Sequence, residues 1–250
     1  MRTARLTFAL VLSSLCALSA VAQSFSHNGA PASGPSSVAA PPIKVIGTTS
    51  ITQSTNASTI TAANSVSCNG GAPGFFHTDN SYIRAFTLAS FNPPLNQTQF
   101  KVEGVTIGIE QANAAGTGTT QPITINIYSS TTNPPTNASL SAVLSTVTVN
   151  VPDQVGTLLT IPLTTQPVFT VATGILVVEV FTPSGQAAGH SFFIGSNTLG
   201  QSGGSFIKAA SCGITEITNL ASIGFANMHI VMTVIGNSQA PVELQEYSVN

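Results

Sequence analysis

The stretch GILVVEVFTPSGQAAGHSFFIGSN, Gly174 to Asn197, decides how this chain is read. Ile175 to Phe181 is almost wholly β-branched or large and apolar, which suits a central strand buried on both faces. Pro183, Ser184 and Gly185 end that strand, since proline cannot donate to a ladder and glycine readily takes turn conformations. His190 to Ile194 then resumes an extended run. Glu179 is the exception, a carboxylate inside the most apolar segment of the protein. A buried acid needs a partner, and Arg84, a histidine or backbone donors are the ones expected.

Outward from this stretch the strands alternate. Tyr82, Arg84, Phe86 and Leu88 share one face of a strand, so Arg84 must either find a partner or lie near the strand's solvent-facing end. Phe100 to Glu110, Ile123 to Tyr128, Val143 to Val151 and Leu158 to Leu163 follow the same pattern. Val168 to Val171, Phe206 to Ala209 and Ile223 to Ile235 extend it, and Ile46 to Gln53 and Ser58 to Thr61 read as edge strands. About nine or ten strands with regular turn signals and no helical period predict an all-β fold, an antiparallel jelly-roll-like β-sandwich in a single domain. The domain is expected over residues 45–236, with a C-terminal tail at 237–250.

Ahead of the domain, residues 1–22 read as a signal peptide. Arg2 and Arg5 supply the charged region, Leu6 to Leu18 the apolar one, and Ala20-Val21-Ala22 the cleavage site, so the mature chain starts at Gln23. Residues 23–44 are rich in Ser, Ala and Pro and read as a flexible linker. Secretion allows Cys68 and Cys212, the two cysteines of the mature chain, to pair as a disulfide. A membrane span in the mature chain is not expected.

Composition narrows the function classes. Charged residues make up only 6% of the chain, against about 25% in an ordinary cytosolic domain. The mature chain sets four cations, Lys44, Arg84, Lys101 and Lys208, against eight acids. No basic patch is available to neutralise phosphates, which argues against nucleic-acid binding.

Several segments carry a resemblance: Ser67-Cys-Asn-Gly-Gly with His77 to Leu88, Leu176 to Gln186, Ser191 to Asn197, Ala210 to Glu216, and Ile223 to Met232. Together they resemble an uncharacterised family of bacterial extracellular β-sandwich domains, often appended to secreted subtilisin-like peptidases and to surface or adhesin-like proteins. The resemblance covers residues 45–236 and implies a surface-associated β domain, with no catalytic residues to carry over.

Gly200-Gln-Ser-Gly-Gly is similar to a serine-protease string, with His77, Asp153 and Ser202 in chymotrypsin-like order, but Gln201 replaces the acid and a glycine turn is the simpler reading. Glu110 and Glu179 form a carboxylate pair of glycosidase type only if they converge, and Glu110 is expected to be solvated at its strand end. Asp79 and Asn80, with the carbonyls of 70–74, form a candidate calcium site, and an Asx-turn is the plainer reading. His77, His190 and His229 show no metal-ligand spacing. Phe75, Phe76, Tyr82 and Tyr128 are the aromatic groups that could meet a sugar ring. Other than calcium, no cofactor is implied.

These readings converge on a secreted, non-catalytic binding or adhesion module contacting a glycan, a cell surface or an extracellular protein. The alternatives are an accessory protein assisting a secreted peptidase, and a hydrolase using Glu179 or Ser202.

Overall fold

The computed structural model describes residues 23–27 and 49–239, apart from 73, 92, 93, 96 and 115–117. The expected signal peptide at 1–22, the linker from 28 to 44 and the tail from 240 onward lie outside the described residues. The strands are β1 (Ser24–His27), β2 (Thr49–Thr52), β3 (Val66–Asn69), β4 (Asn80–Thr87), β5 (Gln99–Asn113), β6 (Thr120–Ser129), β7 (Ser145–Pro152) and β8 (Gln154–Pro162). They continue as β9 (Val168–Thr170), β10 (Ile175–Thr182), β11 (Ser191–Ile194), β12 (Ser196–Asn197), β13 (Ser205–Ala209), β14 (Ile214–Asn219), β15 (His229–Ile230) and β16 (Met232–Gln239). Helical structure among the described residues is limited to four short 3-10 turns, and none is long and apolar enough to cross a membrane.

Two antiparallel sheets face each other across the core. One has the order β14-β13-β4-β10-β6-β7. In the other, β5 pairs β16 and β11 along one side and β8 and β9 along the other, with β2 outside β16. Counting β2, β4, β5, β6, β7, β8, β10 and β16 as strands one to eight gives the sheet orders 1-8-3-6 and 2-7-4-5. That interleaving is the double Greek key of a jelly roll. β13 and β14 widen the first sheet beyond β4.

β10 is central, as its composition requires, with β4 on one side and β6 on the other. Leu176, Val178 and Val180 point inward with Tyr82, Phe86, Ile125 and Ile127, against Val105, Ile107, Ile109, Met232 and Val234 of the opposite sheet. Val177 faces outward into a smaller cluster with Ile83, Ala85 and Phe206. Both faces of β10 therefore bury apolar area, which is why its sequence does not alternate cleanly.

Four local expectations are corrected. Ser24–His27 is a strand paired with β3, not linker, because Phe25 and His27 stack edge-on against Phe225 at 6.1 and 5.8 Å. Ser58 to Thr61 is not a strand: Asn56 caps the Ser58 and Thr59 amides, and Asn197 holds the carbonyls of Asn56 and Thr59. The run from Ile223 is broken by Gly224, at φ +96°, so strand structure resumes only at His229. β16 then continues to Gln239, beyond the expected domain end at 236, because β5 is long enough to pair it. The expected disulfide is present: Cys68 of β3 joins Cys212, in the turn between β13 and β14, with Cα atoms 5.9 Å apart.

Candidate binding groove

The outward residues of the first sheet build a polar groove. Glu179 stands opposite Asn126 of β6 and Ile83 of β4, while Lys208 of β13 stands opposite Ser81. Alternation along β6 puts Tyr128 on the same face as Asn126. The groove encloses about 490 Å³ and is lined by Glu179, Asp79, Asn126, Asn137, Lys208 and Ser81, among others.

Glu179 is the fixed point of this surface. Its Oε2 accepts hydrogen bonds from the Tyr128 hydroxyl at 2.7 Å and Asn126 Nδ2 at 2.9 Å. The Thr146 hydroxyl donates to Asn126 Oδ1 at 2.8 Å, which turns the Asn126 amide donor toward the carboxylate. Burial, and then the Glu179 charge, push the Tyr128 phenol pKa up, so it stays a neutral donor. Glu179 Oε1 lies 4.0 Å from Lys208 Nζ. One carboxylate oxygen is thus held by the sheet, and the other faces a cation at the groove.

The groove walls are tied down separately. Asp79 Oδ1 accepts from the Ser211 hydroxyl at 2.7 Å, one residue from the disulfide at Cys212. Asn137 Nδ2 donates to the Thr215 carbonyl of β14 at 2.9 Å. Asn137 opens a 3-10 turn fixed by a reciprocal cap between Thr136 and Ser139.

Other residues singled out in the sequence fall elsewhere. Arg84 does not pair with Glu179: it points inward and is completely buried. Its guanidinium donates to the Ile230 carbonyl from both Nε and Nη2, to the Gly203 carbonyl at 3.1 Å and to Gln53 Oε1 at 3.4 Å. Burial lowers its pKa to about 9, which leaves it charged at neutral pH. Tyr82 is also fully buried and donates to the Val66 carbonyl at 3.2 Å, so it cannot meet a ligand. Phe76 is exposed and its ring lies over Gly74, while Phe75 sits half-buried; neither lines the groove.

The Asp79–Asn80 pair is split. Asn80 is buried, with Oδ1 taken by the Cys68 amide at 2.8 Å and Nδ2 by the carbonyls of Cys68 and Thr78. Only Asp79 reaches the groove, so the two do not form the expected calcium site. Among the described residues, no group of three His, Cys, Asp or Glu could hold a metal ion.

Glu110 is not solvated but buried, the extra residue at a β-bulge where β11 shifts register on β5. It accepts from the Ala63 and Ser65 amides at 3.0 and 2.8 Å. Desolvation raises its pKa, partly offset by those donors. It belongs to the sheet opposite Glu179, which faces outward, so the two do not converge. His77, Asp153 and Ser202 do not assemble either, and no hydrogen bond among the described residues links any two of them. The ring nitrogens of His77 face the carbonyls of His190 and Pro183, Asp153 Oδ1 accepts from the Ala114 amide, and the Ser202 amide donates to Gln53.

Tyr128 was visible in the sequence as an aromatic candidate. The roles of Asn126, Asn137 and Lys208 were not. The alternation of Ile123-Thr-Ile-Asn-Ile-Tyr places Asn126 and Tyr128 on one face, but only strand order sets β6 beside β10.

No family model matches this chain, and no curated protein matches it. One similar solved structure contains the cysteine protease and lectin-like domains of Cwp84, a surface layer associated protein of Clostridium difficile. It is 13% identical with a TM-score of 0.43, and the likeness covers 71% of this chain and 38% of that one. A likeness this remote assigns neither fold nor function.

Proposed function

We propose that this chain is a secreted, non-catalytic binding module whose outer-face groove takes a polyhydroxylated ligand of the glycan class. The observation that carries the reading is the Glu179 carboxylate, oriented by Tyr128 and Asn126 and set beside Lys208 in a groove of about 490 Å³. Vicinal hydroxyls need closely spaced acceptors and donors that are already oriented, because ordering them on binding would cost affinity. Carboxylates, carboxamides and an ammonium group on one sheet face supply that set. The Cys68–Cys212 disulfide and the leader-like first 22 residues support an oxidising, extracellular setting.

The test is a glycan array probed with residues 23–250, wild type beside Glu179→Gln. Selective binding to one sugar class, weakened at least tenfold in Glu179→Gln, supports the reading. An array blank for the wild-type protein contradicts it.

A further inference from the structure

Outside the groove, β5 and β16 bring together three side chains whose chemistry is complementary. Lys101 and Asn237 are direct cross-strand partners in the antiparallel ladder. Glu103 Oε1 accepts from Asn237 Nδ2 at 2.7 Å and lies 3.5 Å from Lys101 Nζ. One carboxylate oxygen therefore touches both an amine and a carboxamide. Glu103 is buried, and its other oxygen, Oε2, has no hydrogen-bond partner among the described residues. Lys101 is one of only six cations in the whole chain.

The backbone is shaped to hold this meeting. Ile235 pairs with Gly104 and Gly236 with Val102, so Glu103 is the extra residue of a β-bulge. At Gly236 the strands approach so closely that an added Cβ would sit 2.1 Å from the Lys101 carbonyl oxygen. Only glycine fits there, immediately before Asn237.

We propose that Lys101 and Asn237 condense into an intramolecular isopeptide bond, with Glu103 as the proton carrier. The Glu103 carboxylate takes a proton from the Lys101 ammonium, and the amine attacks Cγ of Asn237. The protonated Glu103 donates to the carboxamide as the tetrahedral intermediate forms. The Nζ–Cγ bond forms and the Cγ–Nδ2 bond breaks. A second Lys101 proton passes through Glu103 to the leaving nitrogen, and the remaining proton converts ammonia to ammonium. Lysine ammonium plus carboxamide thus gives a secondary amide plus ammonium, with no oxidant or cofactor. The product clamps the end of the last strand of the jelly roll onto β5.

Tandem mass spectrometry of tryptic digests tests this, using secreted protein whose Cys68–Cys212 bond is verified intact. A parallel aliquot is first held in mildly alkaline buffer. The expected result is no cleavage after Lys101 and a branched peptide joining the Lys101 and Asn237 segments, lighter than their sum by one ammonia. Locating the loss on that peptide separates it from cyclisation of an N-terminal glutamine. Glu103→Gln keeps the shape and should give linear peptides, while Asn237→Asp should lose water instead of ammonia. Linear peptides from both wild-type aliquots overturn the proposal. A branch that persists undiminished in Glu103→Gln overturns the role assigned to Glu103.

Discussion

Arg84 and Glu179 lie on adjacent strands, one residue out of register, and face opposite sides of the same sheet. Arg84 stands opposite Val178 and points into the core; Glu179 stands opposite Ile83 and points into the groove. The sandwich thus holds a buried cation with no carboxylate among its partners in the described residues. The Glu179 carboxylate is committed to the outer face instead.

Arg84 should be a strong determinant of stability for that reason. Its forked donors satisfy the Ile230 carbonyl, which has no water to turn to in the core, and the half-buried Gly203 carbonyl. Arg84→Ala is expected to cost about 3–5 kcal/mol, through unsatisfied acceptors and a cavity together. Arg84→Lys should recover only part of the loss, since an ammonium cannot reproduce the fork. Urea unfolding midpoints measure both, and an Arg84→Ala variant as stable as the wild type would refute this account of the core.

His77 should make the fold acid-sensitive. Burial lowers its pKa to about 4, in spite of the two carbonyls that favour its charged form. The unfolded chain binds a proton near 6.5, so it gains protons before the folded chain does. Stability should therefore fall as pH drops from 6.5 to about 4 and level off below that, by up to about 3 kcal/mol from this residue. His77→Gln should flatten that slope, as denaturation across the range would show.

The disulfide should matter to both stability and binding. It closes a separation of 144 residues, for which the chain-entropy relation gives about 5 kcal/mol. Cys212 follows Ser211, the partner of Asp79 in the groove wall. A Cys68→Ser, Cys212→Ser double variant should unfold at lower urea and bind more weakly. Equal affinity in a folded double variant would separate the groove from the bridge.

Glu110 should hold down the loop before β3. Its carboxylate collects the amides of Ala63 and Ser65. Glu110→Ala should cost about 2–3 kcal/mol by leaving those donors unmet. Limited proteolysis should then cut between Thr55 and Ser65 before any other site. Wild-type resistance there would contradict this role.

The strand pattern was legible because alternation is a local property. Tyr82 to Leu88 and Ile123 to Tyr128 each announced a strand by alternation, and Ile175 to Phe181 did so by its unbroken apolar run; the jelly-roll arrangement agreed with their spacing. The disulfide was legible from cysteine count and compartment alone. The groove was not, since Glu179, Asn126, Lys208 and Asp79 come from four separate segments joined only by strand order. The face of Glu179 was hidden because β10 is apolar on both sides, so no alternation marked which side was outward. The burial of Glu110 depended on a register shift that no periodicity reveals. Tyr82 and Asn80 were misplaced for one reason: polar atoms that look available in a sequence are often consumed by nearby backbone.

The outer sheet face is proposed to bind a polyhydroxylated ligand through Glu179. The most direct measurement is titration calorimetry of the best array hit against wild type, Glu179→Gln and Phe76→Ala. At least tenfold weaker binding is expected for Glu179→Gln, with Phe76→Ala unchanged, because Phe76 does not line the groove. The reverse pattern, with Glu179→Gln binding as well as wild type and Phe76→Ala impaired, would contradict it.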